Sequence, residues 1–264
     1  MKQIYVCTDT ITGLYSALHD AWKENRDGDA GVEIRGHVQH QLFCEYQAVE
    51  ETSQKAFRLE RMIKRYLGYN ACWDIYHALL SDNPQKGNAV FHAMQESRKL
   101  KDSRRIMEHL GNEDVANVFA MSRSVANEAH VYEEFIRFRE LKNGILFSEI
   151  SPKAQVLTCI GDHFSDRFPL ENWLIFDKTH QVSLVHRKQS RWELVWGELP
   201  DGEAVEDLSD DERDYEELWR CFFESVSVKE RENPRCQRGH LPLRYRDNMP
   251  EFQEKGCLTG KIRL

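Results

Sequence analysis

The sequence predicts an α+β fold, and three observations carry the prediction. Apolar residues recur every three or four positions through much of the first half, the spacing of helices buried on one face. Beyond Asn143-Gly144, short apolar runs alternate with polar turns, as in antiparallel strands. A last amphipathic stretch then closes the pattern. The expected architecture is a helix-rich N-terminal half and a small antiparallel β-meander in the second half, packed with a C-terminal helix. One α+β domain over 1–264 is expected. The alternative is a subdivision into a helical part, 1–143, and a part, 144–264, holding the sheet and a basic helical segment.

Each element has its own signal. Ile4-Tyr5-Val6 reads as a short strand. Leu14, Ala17, Leu18, Ala21 and Trp22 then recur at helical spacing, with Thr10 as cap. Val32 to His37 reads as extended. Phe57, Met62, Ile63, Tyr66 and Leu67 form one helical stripe, and Cys72, Ile75, Tyr76 and Leu79 form a second. Val90, Phe91 and Met94 begin a third after Pro84. From Asp114, the seam Val118, Met121, Val125, Ala129, Tyr132 and Ile136 predicts a long helix ended by Asn143-Gly144. Ile145 to Ile150 reads as a strand, and Ser151-Pro152 as a helix start. Trp173–Phe176, Val182–His186 and Trp192–Trp196 predict the meander. Ser209-Asp210-Asp211-Glu212 has the form of a capping box. The helix it opens carries Tyr215, Leu218, Trp219, Phe222, Phe223 and Val226 on one side. Asn233-Pro234 interrupts that helix and starts a short one.

Composition narrows the function classes. The chain has 264 residues and a formal charge of -8, which argues against coating nucleic acid with the whole surface. Local basic sites remain compatible, because fields are screened over about 10 Å in salt. The acidic excess concentrates in Glu198 to Glu217, read as a solvated loop leading into a helix. Seven dispersed cysteines without a Cys-x-x-Cys pair point to reduced thiols rather than a disulfide framework. No apolar run approaches a membrane span, so a cytoplasmic protein without a membrane partner is expected.

Candidate site residues fall into three sets. The first is basic: Arg231, Arg235, Arg238, Arg244, Tyr245 and Arg246, crowded into the end of an acidic chain. Arginine suits phosphate because its planar fork donates paired hydrogen bonds. Arg235 and Arg238 share a helix face at this spacing, and the amides after Asn233 would add an anion site. Arg244 and Arg246 would point outward together from a strand around Tyr245, whose ring offers a base a stacking surface. The second set is a polar helix face, Arg123, Asn127, His130, Glu134 and Arg137, with Glu128 beside it. The third is His163 with Asp166. Glu128, His130, His163 and Asp166 are the catalytic candidates if the chain does acid–base work. Cys159/His163 and Cys236/His240 each have a Cys-x3-His spacing that zinc could use, but no recognised finger results, and neither metal nor cofactor is expected. Walker loops, dinucleotide glycine fingerprints and nucleophile elbows are absent from the sequence.

Three segments together resemble a bacterial family of DNA repair or DNA metabolism proteins of unknown biochemical activity. They are Val125-Ala126-Asn127-Glu128-Ala129-His130 running to Leu141, then His163-Phe164-Ser165-Asp166-Arg167-Phe168 with Trp173 to Asp177, and Phe222-Phe223-Glu224-Ser225 through Asn233-Pro234-Arg235, Gln237-Arg238 and Pro242-Leu243-Arg244-Tyr245. The sequence departs from the family wording at Glu134, at Leu241 and at Arg246, which stands for an aromatic residue. The resemblance implies a partner, a radical S-adenosylmethionine protein of DNA repair or modification. Some relatives are joined to a uracil-DNA glycosylase-like domain, which has no counterpart here. The reading that follows is a DNA-binding accessory protein in such a system. The alternatives are a nucleic-acid-processing enzyme and a protein-interaction subunit without nucleic-acid contact.

Overall fold

A computed structural model describes residues 1–25, 28–197, 207–246 and 248–252. The chain is α+β and divides into two compact units, Met1–Asn127 and Glu128–Leu264. The division falls inside a helix rather than at the Asn143-Gly144 turn.

The first unit begins with β1 (Lys2–Cys7), α1 (Ile11–Asn25), β2 (Ala30–Ile34) and β3 (Cys44–Ala48). The three strands form a parallel sheet in the order β2-β1-β3. Helix α1 starts as expected, with Thr10 Oγ1 accepting the Gly13 amide at 2.9 Å. Strand β2 is buried along its whole length, whereas β3 is a half-exposed edge in which Cys44, Tyr46 and Ala48 alternate with Glu45 and Gln47. The sequence reading assigned no strand there, although this alternation is a strand signal.

Three helices follow: α2 (Ser53–Tyr66), α3 (Gly68–Leu80) and α4 (Lys86–Ser97). Gly68, at a φ of 86°, turns the chain between α2 and α3, a conformation that disfavours a side chain. At Gly87 a Cβ would stand 2.8 Å from the Val32 carbonyl oxygen, so only glycine lets α4 lie this close to β2. Tyr5, Leu14, Leu18, Val32, Ile63, Ile75 and Phe91 form the centre of one apolar core. Lys86 is fully buried there. Its Nζ pairs with Asp9 at 2.6 Å and donates to the Ser81 carbonyl at 2.7 Å, which offsets the loss of water around the charge.

Helix α5 (Glu113–Phe135) crosses from one unit to the next. It ends eight residues before Asn143, earlier than its apolar seam suggests. A short strand β4 (Arg139–Glu140) intervenes, and Gly144, at a φ of 76°, serves the turn to β5 (Leu146–Ile150). Then come α6 (Leu157–Arg167), β6 (Trp173–Asp177), β7 (Val182–His186), β8 (Glu193–Trp196), α7 (Asp210–Val226) and α8 (Pro234–His240). The sheet order is β4-β5-β6-β7-β8. Strands β6, β7 and β8 make the expected antiparallel meander, but β5 runs parallel to β6. The sheet is therefore mixed, because α6 carries the chain back across it before β6 begins.

Trp173 anchors this second core, stacked at 4.9 Å on His186 and edge-on to Phe138 and Phe164. Ser209 caps α7 through the Glu212 amide at 3.1 Å. The capping box is only half formed, since Glu212 accepts from the Glu140 amide instead and thereby ties α7 to β4. Leu141, Phe147 and Phe176, with Leu208 packed on them, close the same end of the sheet. The part of the acidic segment at 198–206 lies outside the described residues. Cys7, Cys44, Cys72, Cys159 and Cys236 are free thiols. Among the described residues no helix is long and apolar enough to cross a membrane.

Candidate nucleic-acid interface

Helix α8 presents the exposed half of the basic set. Asn233 caps it by accepting the Cys236 amide at 3.0 Å, with Pro234 at its first turn. The side chain of Asn233 thus uses an amide that sequence reasoning reserved for an anion. Arg235 and Arg238 lie on this helix, and Arg231 lies in the 3-10 turn before it, Lys229–Arg231. All three are exposed, and none pairs with a carboxylate among the described residues. Arg238 rests its Nε on the Pro234 carbonyl at 3.1 Å, which fixes the side chain along its own helix.

The rest of the basic set is committed to structure. Leu243–Tyr245 forms a 3-10 turn, not the strand that would have directed Arg244 and Arg246 outward. Arg246 donates from Nε and Nη2 to the Leu241 carbonyl at 3.2 and 3.0 Å. Its guanidinium lies 4.5 Å from the centre of the Phe252 ring. Tyr245 is buried with its ring edge-on to Tyr132 at 4.9 Å, so it offers no platform to a base. Burial pushes its hydroxyl pKa up, against the opposing effect of Arg244.

Arg244 binds the carboxylate of Glu128 at 3.1 Å and also donates to the Tyr245 hydroxyl. Glu128 is itself buried. Its two oxygens accept the amides of Lys153 and Ala154, each at 3.0 Å, just before α6. The Glu128 carboxylate thus clamps two amides and a guanidinium. Sequence reasoning placed Glu128 beside the polar stripe; the helix turns it inward.

A small cleft of about 20 Å³ opens beside this clamp, lined by Tyr132, Arg137, Ser148, Arg244, Tyr245 and Asn248. Its volume is on the scale of one water molecule. Arg137 closes one side through Glu251 at 3.2 Å, so it too leaves the proposed solvent face. Glu251 is almost fully buried and lies 114 positions away in sequence, which no local pattern could have signalled. The Tyr132 hydroxyl is buried in the cleft wall without a hydrogen-bond partner among the described residues, and burial raises its pKa strongly, assisted by Glu128.

The other catalytic candidates are not gathered around Glu128. His130 is exposed, facing Glu133 at 3.6 Å and Glu134 at 3.3 Å along its own helix. His163 and Asp166 are exposed on α6, and His163 meets the edge of Phe164. Neighbouring Asp162 accepts the Trp192 indole N–H at 2.7 Å. Arg123 and Asn127 are exposed on the first-unit part of α5. In the β6–β7 turn, Asp177 accepts the amides of Thr179 and His180 and pairs with the His180 ring at 2.6 Å, as aspartate commonly does in turns. Cys159 is largely buried, which pushes its thiol pKa up to about 12. Among the described residues no group of three or more His, Cys, Asp or Glu side chains is placed to hold a metal ion.

No curated protein matches the chain. A family model does match, over residues 84–251, more than half of the sequence and almost all of the described second unit. Helices α1–α3 and the parallel sheet lie outside that match. The chain belongs to the family described as a domain of unknown function, DUF4130.

Proposed function

We propose that this protein is a DNA-binding accessory factor in a DNA repair or modification system, working with a radical S-adenosylmethionine partner. The observation that supports binding is the exposed trio Arg231, Arg235 and Arg238, unpaired with acid among the described residues of an acidic chain. Phosphate contacts of this kind position a protein on DNA without reading its sequence. The partner rests on the family resemblance of the segments quoted above. An accessory role also suits the settings of Glu128, held by two amides and Arg244, and of His130, which faces Glu133 and Glu134.

A protein-interaction role has its own support. Tyr215, Leu218, Trp219, Phe222 and Val226 leave an apolar stripe of α7 exposed, at the spacing of one helix face. This stripe could serve contact with the partner enzyme, and it is compatible with DNA held at α8.

Binding to labelled DNA at rising salt tests the proposal. Affinity should fall steeply, as counterions compete for the phosphates. Salt-independent binding, or none, would contradict it. The isolated protein should neither cleave DNA nor release its bases. A turnover that disappears in His130→Ala or His163→Ala would replace the accessory reading with an enzymatic one, since losing an acid–base group lowers a rate about a hundredfold or more.

A further inference from the structure

We infer that the exposed face of α2 and α3 in the first unit is a stacking surface for single-stranded nucleic acid. The inference goes beyond the α8 reading, because its observations come from the other unit and from residues outside the family match.

Helix α2 is strongly basic, with Lys55, Arg58, Arg61, Lys64 and Arg65 against Glu60 alone. Two of these cations are locally committed: Lys55 pairs with Asp20 at 2.7 Å, and Lys64 pairs with Glu60 at 2.5 Å, which neutralises the one acid. Arg58, Arg61 and Arg65 remain exposed. Two aromatic rings line one groove with Arg61 and Arg65: Phe57 and Tyr69, 63% and 76% exposed; Tyr66 and Trp73 are exposed outside that groove. The core of this unit is built from other residues, so the fold does not account for them. The Arg65 guanidinium lies 5.6 Å from the centre of the Tyr66 ring, and Trp73 rests on the His77 imidazole at 3.6 Å. An open groove of about 310 Å³ lies along α2 and the start of α3, lined by Phe57, Glu60, Arg61, Lys64, Arg65 and Tyr69, with the Glu60 carboxylate taken up by Lys64.

The choice of ligand follows from this mixture. The centre of a protein-docking surface is typically depleted of charge. Here cations and rings alternate, the combination that grips a phosphate backbone while bases stack on aromatic faces. Stacking on a side chain needs an unpaired base, since the faces of paired bases are covered by their neighbours. The ligand class is therefore a single strand rather than a duplex.

The test uses the full chain, a fluorescein-labelled oligothymidylate, and a blunt duplex of equal length. Phe57→Ala/Tyr69→Ala removes rings and no charge. It should weaken single-strand binding about tenfold or more, given the usual contribution of one stacked base, and leave duplex binding within about twofold. Arg61→Glu/Arg65→Glu should weaken single-strand binding as well. Both sites are exposed, so circular dichroism and Tm should match wild type. Arg235→Ala/Arg238→Ala is measured alongside. Loss only in that variant overturns this inference while keeping the α8 reading. Loss only in the α2–α3 variants does the reverse. Unchanged single-strand affinity in the ring variant, or binding of an acidic protein surface in place of DNA, overturns the stacking surface.

Discussion

Two groups of arginines lie close together near the end of the chain and have opposite fates. Arg231, Arg235 and Arg238 stand exposed around α8. Arg244 and Arg246, within the next few residues, are instead held by acceptors of the protein itself, Arg244 by Glu128 while still partly open to solvent and Arg246 by the Leu241 carbonyl. Residue type and spacing are alike in both groups. What separates them is whether a buried acceptor exists within reach, and those acceptors come from distant or irregular chain. An arginine cluster in a sequence therefore marks two kinds of site, and only packing tells which arginines are free to meet phosphate.

The largest expected effect breaks the held group. Glu128→Ala leaves the amides of Lys153 and Ala154 and the Arg244 guanidinium without their carboxylate. Urea unfolding should report a loss of about 2–3 kcal/mol, the scale of amides left without their acceptor, because the partly exposed Arg244 can turn to water. A change of a few tenths would mean that water replaces the clamp. Arg246→Ala should be milder, about 1–2 kcal/mol, from its two bonds to the Leu241 carbonyl and its contact with Phe252. Its DNA affinity should equal wild type. If affinity falls while stability holds, Arg246 belongs with the outward group after all.

A smaller effect belongs to the first unit and to pH. Burial lowers the pKa of His77, against the raising influence of the Trp73 carbonyl and the Asp74 carboxylate. The unfolded chain then binds this proton more readily than the folded one. The neutral imidazole contributes stability above its unfolded pKa of about 6.5, and that contribution is lost as pH falls through the folded value. Tm should therefore decline from about pH 7 to pH 5.5, and His77→Gln should flatten the decline. An equal slope in the variant would assign the decline to other groups.

Much of the fold was legible because its signals are local. Thr10, Ser209 and Asn233 each cap a helix where the sequence placed them, and the β6–β8 runs formed their meander. The misreadings share a different cause. Strand β3 is a short, exposed edge whose Cys44-Tyr46-Ala48 alternation spans only five residues, and β5 pairs in parallel with a strand that only the α6 crossover brings beside it. The sequence reading overran the end of α5 because Ile136 continues its apolar spacing just past the helix. The site was less legible still. Tyr245 looked like a surface ring from its basic neighbours, yet Tyr132 covers it, and Glu251 became the partner of Arg137 through contacts no spacing encodes.

The account turns on the outward arginines contacting phosphate, and the salt dependence of binding measures that directly. The slope of log affinity against log salt should be compared between wild type and Arg235→Ala/Arg238→Ala. Each lost phosphate contact reduces the slope by about 0.9 on duplex DNA, so the double variant should be shallower by about 1.8. Binding should weaken alike on unrelated sequences, with the folded stability unchanged. An identical slope in the two proteins would show that these arginines face solvent and not DNA, and would contradict the proposed interface.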